Sequence, residues 1–159
     1  MKAKLCCTLA AVVALAVVSQ EPSAAKKSAP PASDREKLVG AWHLASLGKP
    51  GADGEVNSLA GLKGTLIYTR DGHMSVQLMY PESAAALSND YVLNGYEASF
   101  GSYDIDEAKH TVTHHVQGSI TRGLVGKDLP RVYQFTDDRH LIITSARPDE
   151  HWSVTWEHY

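Results

Sequence analysis

Between Tyr96 and Ser119 the chain reads YEASFGSYDIDEAKHTVTHHVQGS, two alternating runs on either side of a short polar break. Alternation sends successive side chains to opposite faces of an extended chain, so this stretch can bury one face only as β-structure. Residues 107–110 fit a four-residue hairpin loop with His110 in the left-handed conformation, and Asp106 then pairs with Thr111. One face carries Ser99, Gly101, Tyr103, Ile105, Val112, His114 and Val116. The other carries Phe100, Ser102, Asp104, Thr113, His115 and Gln117. The first is more apolar and turns inward, which sets Tyr103 beside His114 in an apolar wall.

The same rule organises the remaining strands. Residues 38–47 put Gly40, Trp42 and Leu44 on one face. Residues 62–69 and 73–80 join across Arg70-Asp71-Gly72, and a three-residue loop with Gly72 left-handed pairs Tyr68 with Met74 and Leu66 with Val76. Leu66, Tyr68, Met74, Val76 and Leu78 then oppose Thr65, Ile67, Ser75 and Gln77, the division of a sheet wrapped around an interior. Residues 131–136 and 140–145 form a hairpin over Asp137-Asp138-Arg139. Pairing Phe135 with Leu141 gathers Arg131, Tyr133, Phe135, Leu141 and Ile143 on one side. Residues 151–158 align Trp152, Val154 and Trp156. Residues 49–60 and 120–130 read as loops. Residues 81–95 read as one broken helix crossing between the third and fourth strands, since Pro81 suits a first helical position and Ala84-Ala85-Ala86-Leu87 favour helix. The fold class is all-β, an eight-stranded up-and-down antiparallel barrel whose closure removes edge strands. Its inward set is Trp42, Leu66, Tyr68, Met74, Val76, Leu78, Tyr103, Val116, Tyr133, Phe135, Leu141 and Ile143.

Ahead of the barrel, Ser33-Asp34-Arg35-Glu36 is a capping box that starts a single helical turn. Earlier still, Lys2 and Lys4, an apolar run and Ser23-Ala24-Ala25 make the three regions of a secretory signal peptide over residues 1–25. The apolar run is shorter than the ~20 residues a bilayer requires, so the mature form has no membrane span. Residues 26–35, with Pro30-Pro31, read as a flexible leader, and residues 36–159 as one domain. The two cysteines, Cys6 and Cys7, fall inside the signal peptide and away from its cleavage site, so the mature chain has neither lipid anchor nor disulfide. Removing Lys2, Lys4 and Glu21 takes the 15 basic and 18 acidic residues to 13 and 17, a formal charge of −4. With no basic block beyond Lys26-Lys27, that balance disfavours nucleic acid as a partner.

Gly40-Ala41-Trp42 after a helical turn is the G-x-W pattern of lipocalins. Together with LIYTRDGHMSVQLM, FGSYDID, TVTHHVQGS and VTWEHY, it makes residues 38–159 resemble the bacterial and fungal lipocalin-like domain family. The resemblance implies a lipocalin-type barrel with a ligand cavity. Lipocalins also stack an arginine from beyond the last strand on that tryptophan. Nothing after Trp156 supplies one here, which leaves Arg139 or Arg147 for the role.

Two clusters carry candidate chemistry. His114 and His115 are adjacent on a strand and point to opposite faces, so they cannot share a metal, and no cysteine or carboxylate cluster stands at ligand spacing. No motif demands haem, and no cofactor is assigned. His114 reads as an inward histidine satisfied by Tyr103 or water, and His115 as a solvated outer residue. Arg131 and Tyr133 both point inward, and an arginine in an apolar cavity needs an anion or a strong acceptor. The arrangement is similar in its physics to the Arg-x-Tyr that fatty-acid-binding barrels use for a carboxylate. The alternative is a rim arginine stacked on an aromatic or paired with Asp128 or Glu157. The ligand-binding set is Trp42, Leu66, Tyr68, Met74, Val76, Tyr103, His114, Arg131, Tyr133 and Phe135. Its partner is a small hydrophobic or amphipathic molecule, with a carboxylate among the candidates. Two other readings stay open. One is a cofactor-free isomerase or cyclase using His114, Arg131 and Tyr133. The other is an envelope interaction module with a filled barrel.

The signal peptide implies an exported protein, periplasmic or secreted. N-terminal sequencing of protein taken from its native envelope is expected to start near Lys26. Intact Met1 on soluble cytoplasmic protein would contradict export.

Overall fold

A computed structural model describes residues 32–50, 56–58 and 60–159. The signal-peptide segment and leader residues 26–31 lie outside the described residues. Helix α1 (Asp34–Leu38) opens on the capping box: the Ser33 hydroxyl accepts from the Glu36 amide at 3.2 Å, and the Glu36 carboxylate accepts from the Ser33 amide at 3.0 Å. Asp34 and Arg35, assigned from sequence to the leader, belong to this helix.

Among the described residues nine strands follow: β1 (Gly40–Pro50), β2 (Val56–Ser58), β3 (Lys63–Tyr68), β4 (His73–Met79), β5 (Tyr96–Asp106), β6 (Thr111–Ser119), β7 (Asp128–Phe135), β8 (His140–Ser145) and β9 (Ser153–His158). Each barrel strand pairs antiparallel with its neighbours, and β9 returns to β1. Eight strands, β1 and β3 to β9, therefore close into a barrel, while the short β2 runs beside the far end of β1. Strand β2 and the start of β7 occupy stretches that the sequence reads as loops. Both are short extensions that take up hydrogen bonds offered by a neighbouring strand, a signal carried by the partner rather than by their own composition.

The three hairpin registers are those the alternation predicts. Tyr68 pairs with Met74, Asp106 with Thr111 and Phe135 with Leu141. His110 adopts φ 50 and Gly72 φ 90, as those turns require. Two bulges adjust the facing. Ala45 is the extra residue in β1, so Trp42 before it and Leu47 after it both reach the interior. Gln117 is the extra residue in β6, opposite the step from Phe100 to Gly101. A Cβ at Gly101 would collide with the His115 carbonyl oxygen, so only glycine lets β5 and β6 approach at this bulge.

The crossing helix is absent. Residues 81–95 hold one 3-10 turn (Glu82–Ala84) and then turns and bends. Asn89 explains the failure of the alanine run, because its side chain accepts from the amides of Tyr91 and Val92 and offers the backbone a local alternative to helix. Asn94 (φ 49) and Gly95 (φ 76) then turn the chain back, and the Gly95 amide takes the Leu87 carbonyl that a helix would have used.

Helix α1 and the connections β3–β4, β5–β6 and β7–β8 lie at one end of the barrel and seal it. Leu38 is fully buried, and its carbonyl accepts from the Trp42 indole at 2.9 Å. Tyr133 donates to Asp34 at 3.1 Å, and Glu107 accepts from the Arg35 amide at 3.0 Å. The arginine sought over Trp42 is replaced by a histidine: the His158 ring meets Trp42 edge-on at 4.7 Å. Arg139 instead reaches the Glu157 carboxylate and the His158 carbonyl, and Arg147 lies among residues of the opposite end. Trp42 is 1% exposed and joins helix, floor and both closing strands. Trp42→Ala is expected to cost about 3–5 kcal/mol in denaturant unfolding, and a loss within error would show that the ring does not hold this end together.

Candidate functional site

The connections β4–β5, β6–β7 and β8–β9 surround the other end of the barrel, where a cavity of about 350 Å³ opens. Its walls are mostly aliphatic and aromatic, with Leu66, Val76, Leu78, Ile143, Val154 and Trp156 prominent. Alternation brings each of them inward from its strand, and the Ala45 bulge adds Leu47. The volume lies at the lower end of the range that holds drug-sized ligands.

Polar side chains interrupt this lining, among them Asn89, Glu97, Ser99, His114 and Arg131. The most constrained is Arg131, only 6% exposed on β7. Its guanidinium lies over Trp152 at 4.8 Å and Tyr91 at 5.4 Å. Its hydrogen bond within the described residues, to the Pro130 carbonyl, is long at 3.3 Å, and no carboxylate lies within ion-pair distance. Of the alternatives considered from sequence, stacking on aromatic rings does form, while the pairings with Asp128 and Glu157 do not. Asp128 binds His115, and Glu157 binds Arg139 and His43.

Glu150 fixes the two rings that flank this cation. One carboxylate oxygen accepts from Tyr91 Oη at 2.8 Å, and the other accepts from Ser145 Oγ at 2.6 Å and Trp152 Nε1 at 3.2 Å. Arg147 reaches both Glu150 (3.2 Å) and Tyr91 Oη (2.8 Å). Burial works to raise the Glu150 carboxyl, but bonds from Ser145, Tyr91 and Trp152 hold it below the ordinary range.

Beneath the cavity, Tyr68 Oη and His114 Nε2 lie 2.6 Å apart. Burial drives the His114 pKa down to about 3, helped by the Arg131 charge, and burial raises that of Tyr68. Both groups are therefore neutral. With no other acceptor for the phenol among the described residues, its proton goes to Nε2 and the ring proton sits on Nδ1. Tyr68 takes the role that sequence gave to Tyr103, which instead donates to the Thr69 carbonyl at 2.9 Å. Glu97 lies at the start of β5 on the mouth side and is part of the lining. Burial pushes its carboxyl up to about 7 against the opposing pull of Arg131.

Of the ten residues in the sequence-derived binding set, the cavity lining includes Leu66, Val76, His114 and Arg131. Tyr68 lies beneath them as the partner of His114. Trp42, Met74, Tyr103, Tyr133 and Phe135 belong to the packed core and are not in the lining. Tyr133 is thus separated from the His114 and Arg131 with which it was grouped, because its hydroxyl is bound to Asp34 at the sealed end. The lining also includes Tyr91 and Asn89 from the connection misread as helix, together with Glu97 and Trp152. Glu97 was legible: stepping two residues back from Ser99 along the inward face of β5 reaches a carboxylate. Trp152 was already aligned with Val154 and Trp156. Outside the barrel, His115 is held between Asp128 (2.6 Å) and Asp104 (3.0 Å), chiefly by the former, which raises its pKa. Among the described residues no group of three or more His, Cys, Asp or Glu side chains could hold a metal, and no helix is long and apolar enough to cross a membrane.

Among solved structures, a redesigned β-barrel aligns at 10% identity over 80% of this chain and 99% of its own, with a TM-score of 0.45. Two variants of the fluorescent protein UnaG align at 14% identity. They cover 78% and 77% of this chain and 97% and 96% of their own, with TM-scores of 0.39 and 0.38. No curated protein matches the chain. Residues 39–158, which run from the first barrel strand to the last, match the family model of the lipocalin-like domain. On that match the chain belongs to the lipocalin-like domain family.

Proposed function

We propose that this is an exported protein that carries a small molecule with an apolar body and an anionic head, a carboxylate or enolate-like oxygen, in the barrel cavity. One observation carries the reading: Arg131 is a nearly fully buried guanidinium in an apolar-walled cavity, with no carboxylate partner among the described residues. A buried cation without a counter-ion is costly, and stacking on Tyr91 and Trp152 offsets only part of that cost. Among the described residues the only hydrogen bond its N–H groups make is the long one to the Pro130 carbonyl, which leaves donors for a ligand. A carboxylate matches that planar fork of donors, while the aliphatic wall supplies most of the affinity. Export rests on the N-terminal signal pattern alone.

Two observations count against the isomerase reading. Tyr133 is not in the cavity lining, and a histidine with a pKa of about 3 is a weak base at neutral pH. The filled-barrel reading fits poorly with a cavity of about 350 Å³.

Trp152 and Trp156 line the cavity, so intrinsic fluorescence reports its occupancy. In titrations with a medium-chain alkanoic acid and its methyl ester, Arg131→Ala is expected to weaken the acid by about 1.5–3 kcal/mol more than the ester, the contribution of a charge-assisted hydrogen bond. Equal weakening of both would reduce Arg131 to a structural residue.

A further inference from the structure

The carboxylate-binding reading leaves one cavity charge without a role. Glu97 faces the same cavity from β5, and among the described residues its carboxyl makes no hydrogen bond and no ion pair. Arg131 is near enough for its charge to act on Glu97 but not near enough to pair with it. The guanidinium is committed elsewhere, held over Tyr91 and Trp152 by the Glu150 network. The cavity therefore presents two opposite charges in a largely apolar wall, a buried Arg131 and a partly buried Glu97, and among the described residues neither has an ion-pair partner. Buried polar groups in folded proteins have partners, and a pair left open on one cavity calls for a ligand that supplies both.

A plain fatty acid answers only one pole. It would bring a second carboxylate into a cavity that has a single guanidinium, so Glu97 would have to take up a proton to admit it. An amphoteric molecule answers both poles and leaves the filled cavity neutral. We propose that the natural ligand is of this kind: an apolar body with a carboxylate at one end for Arg131 and a protonated amine at the other for Glu97. The inference rests on the carboxylate reading of Arg131 and adds the second pole. Tyr80, also in the lining, stays a neutral phenol because burial and the Glu97 charge push its pKa up to about 12. It brings no second anion to compete for the amine.

The test compares ω-aminoalkanoic acids with plain alkanoic acids across a series of chain lengths, read by tryptophan fluorescence at mildly alkaline pH. Adding an ammonium to the tail of a fatty acid weakens binding to an apolar pocket unless a partner waits for it, so a gain is diagnostic. At the length that spans the two poles, the amino acid is expected to bind about tenfold or more tightly than the plain acid. Glu97→Gln is expected to abolish that advantage and to leave the plain acid unchanged or tighter. If the amino series gains nothing at any length while plain acids bind through Arg131, this inference is overturned and the carboxylate reading stands. An amino-acid advantage that survives Glu97→Gln also overturns it. Binding of neither series overturns both. The wild-type comparison decides the matter even if Glu97→Gln fails to fold.

Discussion

A guanidinium buried in a barrel of aliphatic side chains is the constraint on which the upper half of this molecule depends. A cation taken out of water must be compensated, and here the compensation comes from aromatic faces. Tyr91 and Trp152 lie against Arg131, and Glu150 ties both rings together from the β8–β9 connection. That single carboxylate joins the β4–β5 crossing, the end of β8 and the approach to β9. The mouth is thus ordered around the charge, whose one hydrogen bond among the described residues goes to the Pro130 carbonyl.

The other half of the barrel is organised on the opposite principle. Trp42, Phe135, Tyr133 and Leu141 fill it as a packed core, and α1 covers it with Leu38 against the Trp42 indole. His158 takes the place over Trp42 that an arginine holds in lipocalins at large. The Tyr68–His114 pair marks the border between the two halves. It is neutral, joined by one hydrogen bond and buried, and above it the interior changes from packed rings to open cavity. Belonging to the lipocalin-like domain family accounts for the barrel. The charges at the mouth come from Arg131 on β7, Glu97 on β5 and Glu150 in the β8–β9 connection.

Much of this was legible because β-pairing obeys a strict parity. Once Asp106 is set against Thr111, the inward places of Tyr103, His114 and Val116 follow, and the structure has them there. Parity does not say how far along a strand the core ends and a cavity begins. Tyr133 and Arg131 are two residues apart on one face of β7, yet one bonds to the helix at the sealed end and the other opens on the cavity. Long side chains reaching in opposite directions decide that, and no alternation encodes it. The 81–95 crossing was misread for a different reason: local bonds from Asn89 and the turn at Asn94-Gly95 override the helix preference of three alanines. That error removed Tyr91 from view, and with it the partner that identifies Arg131 as a cavity residue.

The central claim is that this cavity exists to hold an anion on an apolar body, and the natural ligand itself tests it most directly. Protein purified without denaturation from its native source, and its Arg131→Ala counterpart, can be compared by native mass spectrometry and extraction of bound small molecules. The account predicts a single class of amphipathic acid on the natural protein and its loss from the variant. A neutral lipid retained equally by both, or a natural protein that carries nothing and takes up no acid, would contradict it.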